Sequence, residues 1–194
     1  MSTLFSKIVE EAFEDVSTVV EDPNTLQWAY FDTLKWACFD GNISLVNLLF
    51  GVVDPSAFNN EAIRTASENG HADVVDRLLQ DSRVDPSVDN NYAIRWASQN
   101  GHVAVVERIL QDRRSTLQHT HIALRTAAEH NQGEIVDLVL RCGRKLSCSK
   151  LTISIRNATL CGYDTIVERL KQELAVESKS QSQSKSTKRK KLVV

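Results

Sequence analysis

The chain has 194 residues, 42% hydrophobic and 25% charged, which is the composition of a soluble globular domain or of one short repeat array. Its start lacks the basic flank and apolar run of a secretory signal, and no later stretch approaches the ~20 apolar residues of a membrane span, so we expect an intracellular protein with no membrane partner. The net charge of −2 hides an acidic body, because residues 175–194 hold six Lys/Arg and one acid and leave −7 for residues 1–174, which gives that body no general attraction to nucleic acid.

An amphipathic helix is predicted at residues 4–20, which read LFSKIVEEAFEDVSTVV and end before Asp22-Pro23. We expect it to form an N-terminal capping segment, residues 1–23, with a polar outer face that covers the repeats that follow. Its acidic residues Glu10, Glu11, Glu14 and Asp15 are interpreted as that solvated face rather than as a metal site.

A repeat of about thirty residues follows. Residues 62–79 read AIRTASENGHADVVDRLL and residues 93–110 read AIRWASQNGHVAVVERIL, with weaker copies at 33–50, 123–140 and 154–170. The central positions are Gly41, Gly70, Gly101, Asn131 and Gly162, spaced by 29, 31, 30 and 31 residues. Such a period is the signature of a stacked repeat protein.

Each copy predicts two short helices joined by a turn. Apolar residues fall at helical spacing on both sides of the central glycine, as in Ala62, Ile63 and Ala66 before Gly70 and Val74, Val75, Leu78 and Leu79 after it. Glycine suits the left-handed cap of the first helix, and asparagine is the next most tolerant residue there. One pair cannot cover its own apolar stripe, so we expect neighbouring pairs to stack.

The segments between the copies predict tight turns. DPSAFNNE (54–61) and DPSVDNNY (85–92) are rich in residues that favour turns and should project as hairpin-like fingers. The corresponding segments 115–122 and 146–153 lack Pro and Asn, so we expect less regular fingers there.

The pattern over residues 24–174 resembles the ankyrin repeat. The Gly-His and Val-Val-x-x-Leu-Leu motifs of the family are kept. Its Thr-Pro-Leu-His-x-Ala motif at the start of the repeat is replaced by EAIRTA (61–66) and YAIRWA (92–97). These replacement motifs are similar to those in divergent ankyrin arrays of giant viruses and amoeboid eukaryotes. The resemblance implies an all-α solenoid of about five helix-turn-helix repeats with short finger loops. It also implies a noncatalytic, monomeric scaffold or adaptor for protein–protein interaction.

The family resemblance places partner binding on a concave surface of finger tips and first-helix edges, where the copies differ most. The candidate protein-binding residues are Phe58, Asn60, Asp89, Asn91, Tyr92, Trp96, His119, His121 and Lys150. Exposed aromatic anchors suit a specific interface, and the alternative for Trp36 and Trp96 is packing between repeats.

Motifs for catalysis or cofactor binding are not found in the sequence, so we expect no enzyme, no cofactor and no metal. His119 and His121 lack a third ligand at a suitable spacing and are interpreted as exposed finger-tip residues. The four cysteines show no metal spacing and are expected to be reduced, partly buried thiols.

Charged residues recur in two columns. Lys35, Arg64, Arg95, Arg125 and Arg156 occupy one repeat position and suit either phosphate binding or hydrogen bonds to a neighbouring finger backbone, as the histidine of the family makes there. Asp76, Glu107, Asp137 and Glu168 form an acidic column with arginines beside it, which predicts exposed ion pairs between repeats.

Residues 175–194 are low in apolar residues and are expected to form a disordered basic tail. Its cluster Lys188, Arg189, Lys190 and Lys191 suits an import signal, a nucleic-acid contact or a solubilising tail. The alternative function is therefore a nucleus-associated factor that touches nucleic acid through this tail only.

Overall fold

The computed structural model describes residues 23–144 and 146–191, and every regular element in this part of the chain is an α-helix. The helices are α1 (Pro23–Asp40), α2 (Ile43–Leu49), α3 (Ala57–Glu68), α4 (Ala72–Leu79), α5 (Val88–Asn100), α6 (Val103–Gln111), α7 (Leu117–Glu129), α8 (Gly133–Arg141), α9 (Cys148–Leu160) and α10 (Asp164–Lys191). The expected all-α fold of five helix pairs is confirmed. The helix expected at residues 4–20 lies outside the described residues.

The described helices fall into two compact units that divide between Ala93 and Ile94, within α5. In the first unit α1 packs against its partner α2 and against α3, while α4 packs against α3 and α2. In the second unit α9 packs against α7 and α10, and α8 against α7, α6 and α10. Within each unit this arrangement buries apolar stripes between neighbouring pairs, and the buried residues include Leu34, Ile63, Leu78, Leu124 and Ile135.

The turn inside each pair contains the left-handed residue that the repeat predicts. The φ angles are +70° at Gly41, +84° at Gly70, +81° at Gly101, +58° at Asn131 and +78° at Gly162. A side chain disfavours this conformation, which asparagine tolerates better than most residues. Glycine or asparagine therefore recurs at this position because the turn requires a left-handed backbone conformation.

The first residues of α3 and α5 form a left-handed turn instead of a hairpin-like finger. Phe58, Asn59 and Asn60 have φ angles of 51°, 57° and 56°, and residues 89–91 repeat the same conformation. The turn follows a loop in which Asp54 Oδ1 accepts hydrogen bonds from the Ser56 N–H at 3.0 Å and from the Ser56 hydroxyl at 2.7 Å. Right-handed helix begins only after the left-handed residues.

The segments before the fourth and fifth pairs are helical, so the expectation of less regular fingers at 115–122 and 146–153 is wrong. Thr116 caps α7 by accepting a hydrogen bond from the Gln118 N–H, and Ser147 occupies the cap position of α9. Without Asp-Pro-Ser, right-handed helix begins about one turn earlier in the repeat than it does in α3 and α5.

The last helix, α10, includes residues 175–191, for which the sequence predicts disorder. Lysine, arginine, glutamine and glutamate are good helix formers, so a polar segment can extend a helix that is already begun. None of the described helices is both long and apolar enough to cross a membrane.

Cys38 is fully buried at the repeat position that Ser67, Ser98 and Ala128 occupy in later copies. Burial raises the pKa of this thiol to about 12. All four cysteines are free thiols, and Cys161 is exposed. The expectation of reduced, partly buried cysteines is confirmed.

Candidate functional site

In each of the two units, one residue that follows the left-handed turn residue contacts the repeat before it. His71 Nε2 lies 2.8 Å from the Phe39 carbonyl oxygen, and the imidazole occupies the space beside Gly41. In the second unit Gln132 Nε2 donates to the Gln99 carbonyl at 2.8 Å. The interpretation of His71 as a residue that serves the turn is confirmed, and this position is part of the stacking contact.

Two members of the basic column, Lys35 and Arg64, contact groups within the protein. Arg64 Nη1 lies 3.3 Å from Asp89 Oδ2, and its Nη2 donates to the Phe58 carbonyl at 3.5 Å. The same guanidinium lies 5.2 Å from the centre of the Tyr92 ring, while Lys35 Nζ is 2.7 Å from a Glu61 carboxylate oxygen. Arg64 thus bonds the backbone of its own repeat, and its contact with the neighbouring repeat is to the Asp89 side chain rather than to the predicted backbone.

Phe58 joins an aromatic cluster at the start of the first unit. Its ring centre lies 4.5 Å from that of Trp28 and 4.2 Å from that of Phe31. A cavity of about 210 Å³ adjoins the cluster, lined by Gln27, Trp28, Phe31, Val53, Asp54, Ala57 and Phe58. Trp28 and Phe58 remain 56% and 42% exposed, so both can contact a partner.

The two predicted asparagines are buried. Asn60 and Asn91 are each only 7% exposed, and Asn60 Oδ1 accepts a hydrogen bond of 2.8 Å from the Asp85 N–H. Asn91 Oδ1 has no hydrogen-bond partner among the described residues. Both side chains point inward because the left-handed turn directs them there, which leaves them little surface for a partner.

The two tryptophans on the first-helix edge, Trp36 and Trp96, differ in how much of the side chain is exposed. Trp36 is 64% exposed and forms an edge-to-face contact with Phe39, which is 49% exposed, at a centre-to-centre distance of 5.7 Å. Trp96 is half-buried, and Tyr92 donates a hydrogen bond of 2.8 Å to a Glu68 carboxylate oxygen. Trp36 is therefore accessible to a partner protein.

The two histidines predicted on a finger tip lie inside α7. His119 is 2% exposed, and its Nδ1 accepts a hydrogen bond of 3.1 Å from the Thr116 N–H, so the expectation of an exposed position is wrong for His119. Two residues along a helix differ in direction by about 200°, which separates His119 from the half-buried His121. Within residues 23–144 and 146–191 no three His, Cys, Asp or Glu side chains are grouped to hold a metal.

A cationic groove lies between α7 and α9 in the second unit. Its volume is about 420 Å³, and it is lined by Gln118, His121, Ile122, Arg125, Lys150, Ile153 and Ser154. Burial and the nearby Lys150 ammonium lower the pKa of His121. None of these lining residues is acidic. Sequence reasoning missed Gln118, Ile122 and Ile153, although residues 118, 122 and 125 have helical spacing once α7 is known to begin at 117.

Two contacts between repeats lie on the second-helix face. Arg169 Nε donates to Asp137 Oδ1 at 2.8 Å, which confirms the expected ion pairing there. Arg77 donates to Asn47 Oδ1 at 2.8 Å, and its guanidinium carbon lies 3.4 Å from the centre of the Phe50 ring. Exposed pairs of this kind contribute little to stability.

Comparison with known families agrees with this architecture. The family described as ankyrin repeats (3 copies) matches residues 34–120 and 65–150, which together are more than half of the chain. A search of curated proteins finds no match. Ankyrin repeats are in general protein–protein interaction modules without catalytic activity. On this match and on its five turn-linked helix pairs, the chain belongs to the ankyrin-repeat family.

Proposed function

We propose that this chain is a noncatalytic, monomeric adaptor that binds another protein through its first helices and the segments that precede them. The observation that supports this most is the row of exposed aromatic side chains in the first unit. Trp28 with Phe58, and Trp36 with Phe39, form two pairs along α1, about 12 Å apart at 1.5 Å per residue. Aromatic residues are enriched among the few residues that dominate binding energy, and contiguous exposed apolar surface marks interaction sites.

The histidines favour a structural rather than a catalytic interpretation. His71 and His119 hold backbone groups of the repeat, and His130 Nδ1 lies 2.9 Å from the Thr126 carbonyl oxygen. A general base needs a ring nitrogen within reach of a substrate proton. In these three residues a ring nitrogen is occupied by the fold itself.

The adaptor proposal is tested by affinity. A protein captured with the full chain is purified, and its Kd is measured for the natural sequence, for Trp36→Ala with Phe39→Ala, and for Arg169→Ala as a control on the second-helix face. We expect the double variant to weaken binding at least 10-fold, since a buried aromatic anchor contributes about 2 kcal/mol or more. Equal affinity of the double variant and wild type, with loss in the control, would count against the proposal.

The second candidate is a nucleus-associated factor that contacts nucleic acid through the basic C-terminal tail, residues 175–194. It is favoured by the cluster Lys188 to Lys191, which ends α10. Duplex DNA of arbitrary sequence should then bind with an affinity that falls steeply with salt, and deletion of residues 185–191 should abolish that binding. The same deletion should move a fluorescent fusion from nucleus to cytoplasm if the cluster is an import signal. Binding of a protein that survives the deletion favours the adaptor.

A further inference from the structure

The cationic groove lies where two repeats have right-handed helix in place of the left-handed turn. In α3 and α5 the residues that precede the right-handed helix are left-handed and turn their asparagines inward. In α7 and α9 the corresponding residues continue the helix, from Leu117 and from Cys148. The added turns place Gln118 and His121 opposite Lys150, so the groove is specific to this part of the array.

The cations of the groove are available to a ligand. Lys150 is exposed and has no ion pair among the described residues, and the Arg125 side chain is 50% exposed. The contact of Arg125 with Glu129 is loose, at 3.7 Å, and the same Glu129 oxygen accepts a shorter hydrogen bond of 2.6 Å from Asn157. Arg125 therefore has one long ion pair, to a carboxylate that it shares with Asn157, whereas Lys35 in the first unit is paired at 2.7 Å.

The groove also has an apolar side and an unsatisfied polar atom. Ile122 is half-buried and Ile153 is 43% exposed, so an aliphatic side chain can pack between them. His121 Nε2 is buried without a hydrogen-bond partner among the described residues, which costs free energy unless a ligand or water satisfies it. Cationic, apolar and hydrogen-bonding groups therefore meet in one space of about 420 Å³, a typical ligand-site volume.

We propose that the cationic groove binds an acidic segment of the partner protein, with a carboxylate at Lys150 and Arg125 and an adjacent aliphatic side chain against Ile122 and Ile153. This inference rests on the proposed adaptor function and specifies the chemistry of the partner. A peptide is favoured over nucleic acid because residues 1–174 carry a net charge of −7, which repels a polyphosphate but tolerates one or two carboxylates at a local cation pair.

The test selects ligands without assuming a sequence. A displayed library of random 12-residue peptides is selected against the full chain, and a synthetic peptide from the most enriched family is measured by fluorescence anisotropy. We expect enriched peptides to contain Asp or Glu next to Leu, Ile or Val. The affinity of the synthetic peptide should fall at least 10-fold with Lys150→Glu and with Arg125→Glu, and should be retained with Lys150→Arg.

The matched control is Lys171→Glu, which reverses an exposed charge on α10 outside the groove and should change the affinity less than 2-fold. Circular dichroism confirms that each variant is folded. An empty selection, peptides without acids, equal effects of the two Lys→Glu variants, or a single-stranded oligonucleotide that displaces the peptide would each overturn the groove proposal. A captured partner that binds the Lys150→Glu variant normally but loses affinity with Trp36→Ala and Phe39→Ala would overturn it while leaving the adaptor function supported.

Discussion

His71 fills the space that a side chain on Gly41 would need. A Cβ added to Gly41 would lie 2.7 Å from His71 Cε1, closer than real Cβ contacts, and the same imidazole holds the Phe39 carbonyl. The glycine is thus required both by its φ angle of +70° and by the repeat stacked on it. Gly101 and Gln132 reproduce this relationship in the second unit, at 2.7 Å from Gln132 Oε1.

Gly41→Ala should destabilise the protein more than Gly162→Ala. Both positions have positive φ, but nothing lies within 4 Å of a Cβ added to Gly162. Gly162→Ala should therefore cost only the left-handed strain, about 1 kcal/mol, whereas Gly41→Ala should cost about 1 kcal/mol more because it displaces His71. Urea unfolding measures both. In a His71→Ala background the two costs should converge, and a persistent difference would contradict this explanation.

Asn60 should stabilise the folded protein through its hydrogen bond and through its tolerance of a left-handed backbone conformation. Asn60→Gly keeps the conformational freedom but removes the bond to the Asp85 N–H, so we expect a loss of about 1–3 kcal/mol. Asn60→Ala should lose about 1 kcal/mol more, because alanine disfavours a φ of +56°. Asn91→Gly is the control, since Asn91 Oδ1 has no partner to lose among the described residues. Equal losses in unfolding free energy for the two glycine variants would contradict the role of this bond.

Cys38 should react with thiol reagents only when the first repeat opens. The thiolate is the reacting species, and burial raises the pKa of Cys38 to about 12, whereas Cys161 is exposed. At pH 8 we expect Cys161 to be modified rapidly and Cys38 at a rate that rises with urea, as followed by mass spectrometry. Cys38→Ser should be tolerated, because Ser67 and Ser98 occupy the same buried position. Equal rates for Cys38 and Cys161 would contradict the burial.

The Lys150 charge should help to hold the pKa of His121 low. The pKa of His121 lies below its ordinary value of 6.5 because of burial first and of the Lys150 charge second, with Arg125 also lining the groove. A lowered folded-state pKa favours neutral histidine, so its contribution to stability is complete above about pH 6.5 and is lost as the pH falls through the folded pKa. Lys150→Gln should raise the pKa of His121 and reduce that loss.

Nuclear magnetic resonance of the His121 ring protons measures this pKa, with Lys171→Gln as the control for a general change in charge. An unchanged His121 pKa in Lys150→Gln would contradict the proximity of the two charges.

The repeat, its turns and its core could be predicted because they follow from local rules that recur. Gly70 and Gly101 keep a fixed place between two apolar stripes, and only the left-handed cap explains both the glycines and Asn131. The outward direction of Trp36 could not be fixed, since its apolar ring fits an interface and a packed repeat equally well.

The residues at which the first helix of each pair begins could not be predicted from local sequence rules. Three consecutive left-handed residues, as at 58–60, cost roughly 1–2 kcal/mol each. The long-range hydrogen bond from the Asp85 N–H to Asn60 Oδ1 offsets part of that cost, and no local pattern predicts it. The cap of α7 uses His119 where the usual pattern has Glu or Gln, so the helix start at Leu117 was not apparent, nor was the groove that follows from it.

Amide hydrogen exchange of the full chain, with and without a captured partner, measures directly which face of the repeats meets a partner protein. Slower exchange should appear in α1, α7 and α9 and in residues 54–61 and 115–122, while α2, α4, α6 and α8 keep their rates. Protection confined to the second helices, with α1, α7 and α9 unchanged, would contradict the proposed binding surface.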